Sequence, residues 1–273
     1  MGNKIPAVLS PSLDIARDPS MKRLQQTYRP KFAPLKRPEE VAALMPEAIA
    51  ELGKLGVNHP LHVPSPFVRT HSRDHLLLHL ANALIDFRDN RALSFRWSIS
   101  IGGARENGKS ATLKVLAALA CVFVPSCVLF LNLKTVPSGT SLGSLFRQLA
   151  RALHPKAVPS DCDPSVQAVK RCLVAKEVLP VFVLDELQDL LRDHNHAVWQ
   201  ELAMIPNEGH ESGLGFLSGE SRQLRRCIKE PAAFVSDKSI AHKFADLNNT
   251  KFQHVVLHEL SDAELHAVQS ELD

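Results

Sequence analysis

The chain has 273 residues, 45% of them hydrophobic, and its 32 basic and 29 acidic residues leave a net charge of +3. This is long and apolar enough for one sizeable domain with a buried core. The charge is too balanced to argue for a nucleic-acid or membrane-surface partner.

Residues 1–37 carry Lys4, Arg17, Lys22, Arg23, Arg29, Lys31, Lys36 and Arg37 against Asp14 and Asp18, among scattered prolines. This reads as a basic, poorly ordered tail, without the tight cluster of basic residues that a nucleic-acid segment would present. Glu39 to Leu55 has a helical pattern interrupted by Pro46, and Pro60 to Pro66 reads as a linker. Residues 1–66 are therefore expected to form a basic, proline-containing extension, with the domain proper starting near Phe67. Ser72 can cap a helix whose Leu76, Leu77, Leu80, Ala83, Leu84 and Phe87 recur on one face.

Short apolar runs then alternate with helical patterns: Ser98 to Ile101, Lys109 to Phe123, Cys127 to Leu133, Leu142 to Leu153, Val166 to Glu177 and Val181 to Leu184. Such alternation predicts βαβ units and a mostly parallel sheet. A helix over Leu187 to Met204, a strand over Leu214 to Leu217, a helix from Ser221 and a strand over His254 to Leu257 bring the expected strand count to about five. Val115 to Leu131 is uncharged, but Pro125-Ser126 divides it into a buried helix and a buried strand, so no membrane span is expected.

The chemistry concentrates at two places. Gly103-Ala104-Arg105-Glu106-Asn107-Gly108-Lys109-Ser110 fits the phosphate-loop pattern G-x-x-x-x-G-K-[ST], with an apolar strand before it and an apolar helix from Ala111 onward. Its glycines let successive N–H groups turn inward toward phosphate oxygens, and the new helix adds its positive end. Lys109 is expected to reach the β- and γ-phosphates and Ser110 to hold Mg²⁺. Glu106 brings a carboxylate to a cradle built for anions, which predicts modest nucleotide affinity.

The second place is Leu179-Pro-Val-Phe-Val-Leu-Asp185-Glu186, a buried-strand run ended by two carboxylates. The carboxyl ends of parallel strands open onto the ligand crevice. Asp185 is thus expected to bind Mg²⁺ through water and Glu186 to act as general base on the attacking water. The alternative is an acidic pair at a helix start. The stretch between Lys109 and Asp185 leaves room for an intervening strand.

These residues resemble the additional-strand, catalytic-glutamate division of P-loop NTPases, and within it AAA+ and STAND-like ATPases. The resemblance runs from about Phe67 to Leu260: Phe67-Val-Arg-Thr-His-Ser resembles the lead-in segment and Val183-Leu-Asp-Glu-Leu-Gln188 the hydrolysis strand. Phe216-Leu-Ser-Gly-Glu-Ser221 is similar to the strand carrying a polar γ-phosphate sensor, which implies Ser218 for that role and Ser221 second. His254 to Leu260 is similar to the last strand before a helical lid, so 67–260 is expected as the ATPase domain and 261–273 as the start of a truncated lid. Residues 244–252 also resemble divergent eukaryotic ATPases of the retrotransposon-hot-spot and crinkler types.

The resemblance implies a three-layer α/β fold that binds ATP and Mg²⁺ and hydrolyses the nucleotide. It implies a homo-oligomer or an unidentified protein partner, with Arg222, Arg225 and Arg226 as arginine-finger candidates or a solvated basic face. Two other readings stay open, a nucleotide-gated module without turnover and a P-loop kinase. His194, His196 and His210, and His59 with His62, lack partners at metal-ligand spacing. The cysteines at 121, 127, 162, 172 and 227 form no C-x-x-C pair, which suits a reducing compartment, cytoplasmic or nuclear.

Overall fold

The computed structural model describes residues 18–55, 59, 71–90, 97–103, 108–136, 140–186, 214–220 and 252–257. In chain order these are helices α1 (Pro19–Phe32), α2 (Pro38–Leu52) and α3 (His71–Asn90), strand β1 (Trp97–Gly103), helix α4 (Lys109–Phe123) and strand β2 (Ser126–Asn132). A 3₁₀ turn (Leu133–Thr135) leads on to helices α5 (Leu142–Leu153) and α6 (Val166–Val174) and to strands β3 (Leu179–Asp185), β4 (Leu214–Glu220) and β5 (Phe252–Leu257). The helices expected over 187–204 and from 221, and the lid expected over 261–273, lie outside the described residues.

Every strand pairing is parallel, and the order across the sheet is β2-β3-β4-β1-β5. Between β1 and β2 helix α4, and between β2 and β3 helices α5 and α6, carry the chain back as parallel pairing requires. β2 and β3 pair from Ser126 opposite Leu179 to Asn132 opposite Asp185. Successive side chains of a strand point to opposite faces, and both strands obey this. Val128, Phe130, Leu179, Val181 and Val183 join one apolar cluster with α1 to α4, whereas Cys127, Leu129, Leu131, Phe182 and Leu184 join another with α5 and α6. A sheet covered on both faces needs unbroken apolar strands, which is why residues 179–185 read as a continuous run.

Helix α4 is the centre of the first layer. From Val115 to Phe123 every side chain is buried, because strands lie on one side and α1, α2 and α3 on the other. A helix apolar all round belongs in such a position. In the second layer, Phe146 of α5 stands edge-on to Phe182 of β3, with ring centroids 4.8 Å apart.

The poorly ordered tail expected for residues 1–37 is not what the structure has from Asp18 onward. In α1, Met21, Leu24, Tyr28 and Phe32 form a buried stripe, and Phe32 packs on Phe123 of α4 at 5.2 Å between centroids. In α2, Val41, Met45, Ala48, Ile49 and Leu52 do the same, and the helix continues through Pro46. The sequence reading took the prolines as breakers. Pro19 and Pro38 instead occupy first-turn positions, where the missing N–H costs nothing and the fixed φ favours the helix. The basic residues of α1 mask its stripe because they fill its outer face. Arg29 reaches inward, donating to the carbonyls of Cys121, Val122 and Val124 at the end of α4.

Candidate phosphate and hydrolysis site

β1 ends at Gly103, residues 104–107 lie outside the described set, and the chain resumes at Gly108 as the N-cap of α4. Gly108 has φ +71°, the left-handed conformation that favours glycine. Its carbonyl accepts from the Thr112 amide at 2.9 Å and from the Thr112 hydroxyl at 3.0 Å, so the first turn of α4 is locked below it. Lys109, Ser110 and Ala111 open the helix and are half-buried. Strand, glycine turn and helix start thus occur in the order that a phosphate cradle requires, with the positive end of the α4 dipole facing the turn.

The second half of the site is the carboxyl end of β3. Asp185 is buried, and its Oδ1 accepts the Glu186 amide at 3.1 Å. Glu186 is half-buried and takes φ +62°. A non-glycine residue in that region costs about 1 kcal/mol or more. The strand ends at Asp185, and Glu186 directly after it leaves the extended conformation.

Register relates the two halves. β4 lies between β1 and β3, pairing Ile101 with Ser218 and Gly103 with Glu220 on one side and Leu184 with Leu217 on the other. The next step along β3 and β4 brings Asp185 level with Ser218. The phosphate-loop strand and the carboxylate strand end at the same edge of the sheet, two strand spacings or about 10 Å apart. Ser218 sits inside β4, two residues before its end, because this strand runs on to Glu220 where the sequence reading stopped it at Leu217. Ala104, Arg105, Glu106 and Asn107 lie outside the described residues.

One neighbour of the loop was not foreseen. A Cβ on Gly108 would stand 2.6 Å from Nη2 of Arg73, so the guanidinium from α3 lies directly against this glycine. Ser72 was noted as a cap for that helix, but nothing in the spacing of residues 72–108 brings Arg73 to the loop. Long-range packing of α3 on α4 does so. Among the described residues no group of three or more His, Cys, Asp or Glu side chains forms a metal-binding cluster. His59 instead lies 3.1 Å from the carboxylate of Asp18. No helix of the described residues is long and apolar enough to cross a membrane.

Comparison with known proteins bears on the same region. Residues 97–228, from β1 through β4 and beyond, match the family model described as an AAA domain. The matched region is a P-loop NTPase domain of the AAA-like class. Nucleotide binding is what such a domain is expected to do, and ATP is its expected ligand. Among solved structures, the Walker-type ATPase PABY2304 of Pyrococcus abyssi is similar at a TM-score of 0.44 and 15% identity, over 67% of this chain and 55% of that one. The chain thus spans a little over half of that ATPase's length. No curated protein matches it.

Proposed function

We propose that this chain is an AAA+ or STAND-like ATPase module that binds ATP with Mg²⁺ at residues 103–111, hydrolyses it, and changes its contacts with a partner as the nucleotide changes. The observation that carries the reading is the shared edge of the sheet: Gly108 to Ser110 follow β1 there, and Asp185 with Glu186 closes β3 there, with β4 between them. A five-stranded, mostly parallel sheet is the frame of the proposed site.

In this reading the N–H groups of the loop and of the first turn of α4 hold the phosphates, and Lys109 neutralises charge on the β- and γ-phosphates. Ser110 and Asp185 would hold Mg²⁺, which supplies further neutralisation of phosphate charge when bound. Glu186 orients the attacking water and takes its proton, and Ser218 senses the terminal phosphate. Two adjacent carboxylates at the end of β3, Asp185 and Glu186, support water as acceptor, one for the metal and one for the proton of the water.

The test compares ATP binding and phosphate release for the wild-type chain, Lys109→Ala and Glu186→Gln. Lys109→Ala is expected to weaken ATP binding at least tenfold. Glu186→Gln is expected to bind ATP as before and to lose turnover about 100-fold or more, the usual scale for a general base. Wild-type turnover that persists in Glu186→Gln, together with full ATP binding in Lys109→Ala, overturns the site. ATP bound by all forms and hydrolysed by none marks a gated module without turnover, and phosphate transfer that requires an added acceptor marks a kinase.

A further inference from the structure

Helix α3 carries a feature that the nucleotide reading does not use. His75 and His79 lie one turn apart, a spacing that stacks side chains on the same helical face. Their Nε2 atoms are 3.1 Å apart and their rings meet edge to face at 4.2 Å between centroids. His75 is exposed and His79 half-buried, beside the exposed Leu78.

Two neutral imidazoles at this distance can share one hydrogen bond, one ring donating and the other accepting. The same separation is also what two neighbouring ligands of one metal ion adopt. With metal–nitrogen bonds of about 2.0–2.1 Å, the nitrogens stand about 2.9 Å apart at a right angle and about 3.3 Å apart at a tetrahedral angle. The observed 3.1 Å lies between these values, so the two nitrogens already stand at the separation that a shared ion needs.

We propose that His75 and His79 form a two-histidine site for a divalent transition-metal ion of the imidazole-binding class, Zn²⁺ or Cu²⁺, with water filling the remaining positions. Imidazole pairs select these ions over Mg²⁺ and Ca²⁺, which prefer oxygen ligands. The site is therefore distinct in chemistry from the one proposed for Mg²⁺ with ATP, and stands whether or not that reading holds. A bound ion ties together the second and third turns of α3, the helix whose Arg73 guanidinium lies against Gly108. Binding to the folded chain raises its thermal stability by linkage.

The experiment titrates Zn²⁺ into the full chain in excess Mg²⁺, using a competing chromophoric chelator and thermal melting as readouts. The same titration is made on His75→Gln, His79→Gln and, because the chain holds 13 histidines, on His154→Gln as a control elsewhere. Melting in EDTA verifies that each variant folds. The expected result is one Zn²⁺ per wild-type chain, a higher melting temperature with Zn²⁺, affinity at least tenfold weaker in each α3 variant, and no change in His154→Gln. Electron paramagnetic resonance with Cu²⁺ should report two imidazole nitrogens in the wild type and one in each α3 variant. Zn²⁺ affinity unchanged in His75→Gln and His79→Gln, or a wild-type chain that binds no Zn²⁺, overturns the proposal.

Discussion

At its amino end helix α4 starts from a left-handed glycine, with half-buried Lys109 and Ser110 and with the Arg73 guanidinium brought in from α3. At its carboxyl end the last carbonyls are taken up by other parts of the fold. Arg29 of α1 donates to Cys121, Val122 and Val124 at 2.8, 3.4 and 3.5 Å, and the Ser126 hydroxyl donates to Ala120 at 3.0 Å and Val124 at 3.1 Å. Both ends gather positive charge, but for opposite reasons. A cation at the carboxyl end opposes the negative pole of the helix and satisfies orphan carbonyls, which is a matter of stability. Cations at the amino end add to the positive pole, an arrangement that favours folding little and favours an anion there. The contrast teaches that one helix of 15 residues can keep its anchored end apart from an end whose charge favours an anion.

Substitutions can break this division of labour. The largest stability effect is expected from Phe32→Ala, which empties the contact with Phe123 where α1 meets α4. Urea denaturation should report a loss of about 3–5 kcal/mol, with ATP affinity unchanged under conditions where the chain stays folded. Arg29→Ala leaves the three carbonyls without their charged donor. The expected loss is about 1.5–3 kcal/mol, again with little change in ATP affinity. Burial pulls the Arg29 guanidinium below its ordinary value while Cys121 opposes this, and an arginine nevertheless stays charged. Lower ATP affinity in Arg29→Ala by calorimetry, with stability unaltered, would reverse the assignment of the two ends.

Gly108→Ala acts at the other end. Its Cβ meets Arg73 at 2.6 Å and its φ is in the left-handed region, so a stability loss of about 1–2 kcal/mol is expected. ATP affinity should fall by tenfold or more, out of proportion to that loss. If affinity is retained, the turn at Gly108 is not the phosphate cradle.

The smallest effect concerns the cap that starts α1. The Asp18 side chain accepts the Ser20 amide, and replacing it with Ala should cost about 1 kcal/mol. Burial pushes the Asp18 carboxyl up, and the hydrogen bonds from Ser20 with the nearby His59 more than reverse this, so the group titrates below its ordinary 3.8. A depressed carboxyl contributes stability that is complete above its ordinary value and is lost as pH falls through the folded one. Stability measured from pH 6 down to pH 3 should therefore decline less steeply in Asp18→Asn than in the wild type.

The parts legible in the sequence are those with short-range causes. The apolar run of β3, the helical pattern of α5, the buried α4 and the glycine that starts it all follow from period, propensity or steric need within a few residues. Helices α1 and α2 were harder. Their buried stripes are periodic, but prolines and a dense basic face cover the signal until a packing partner is known.

By itself, then, the sequence determined a parallel α/β domain with a glycine turn at the start of α4 and an acidic strand end, since each is written in neighbouring residues. The tertiary structure alone decided which strand separates them. The stretch between Lys109 and Asp185 contains β2, yet β2 lies at the edge of the sheet, and the strand beside β1 and β3 is β4, which follows Asp185 in the chain. It likewise decided that Arg73 lies on Gly108, that Arg29 closes α4, and that the rings of His75 and His79 converge. Sheet order and the meeting of helices depend on contacts between residues far apart in the chain, and no local pattern of side chains records them.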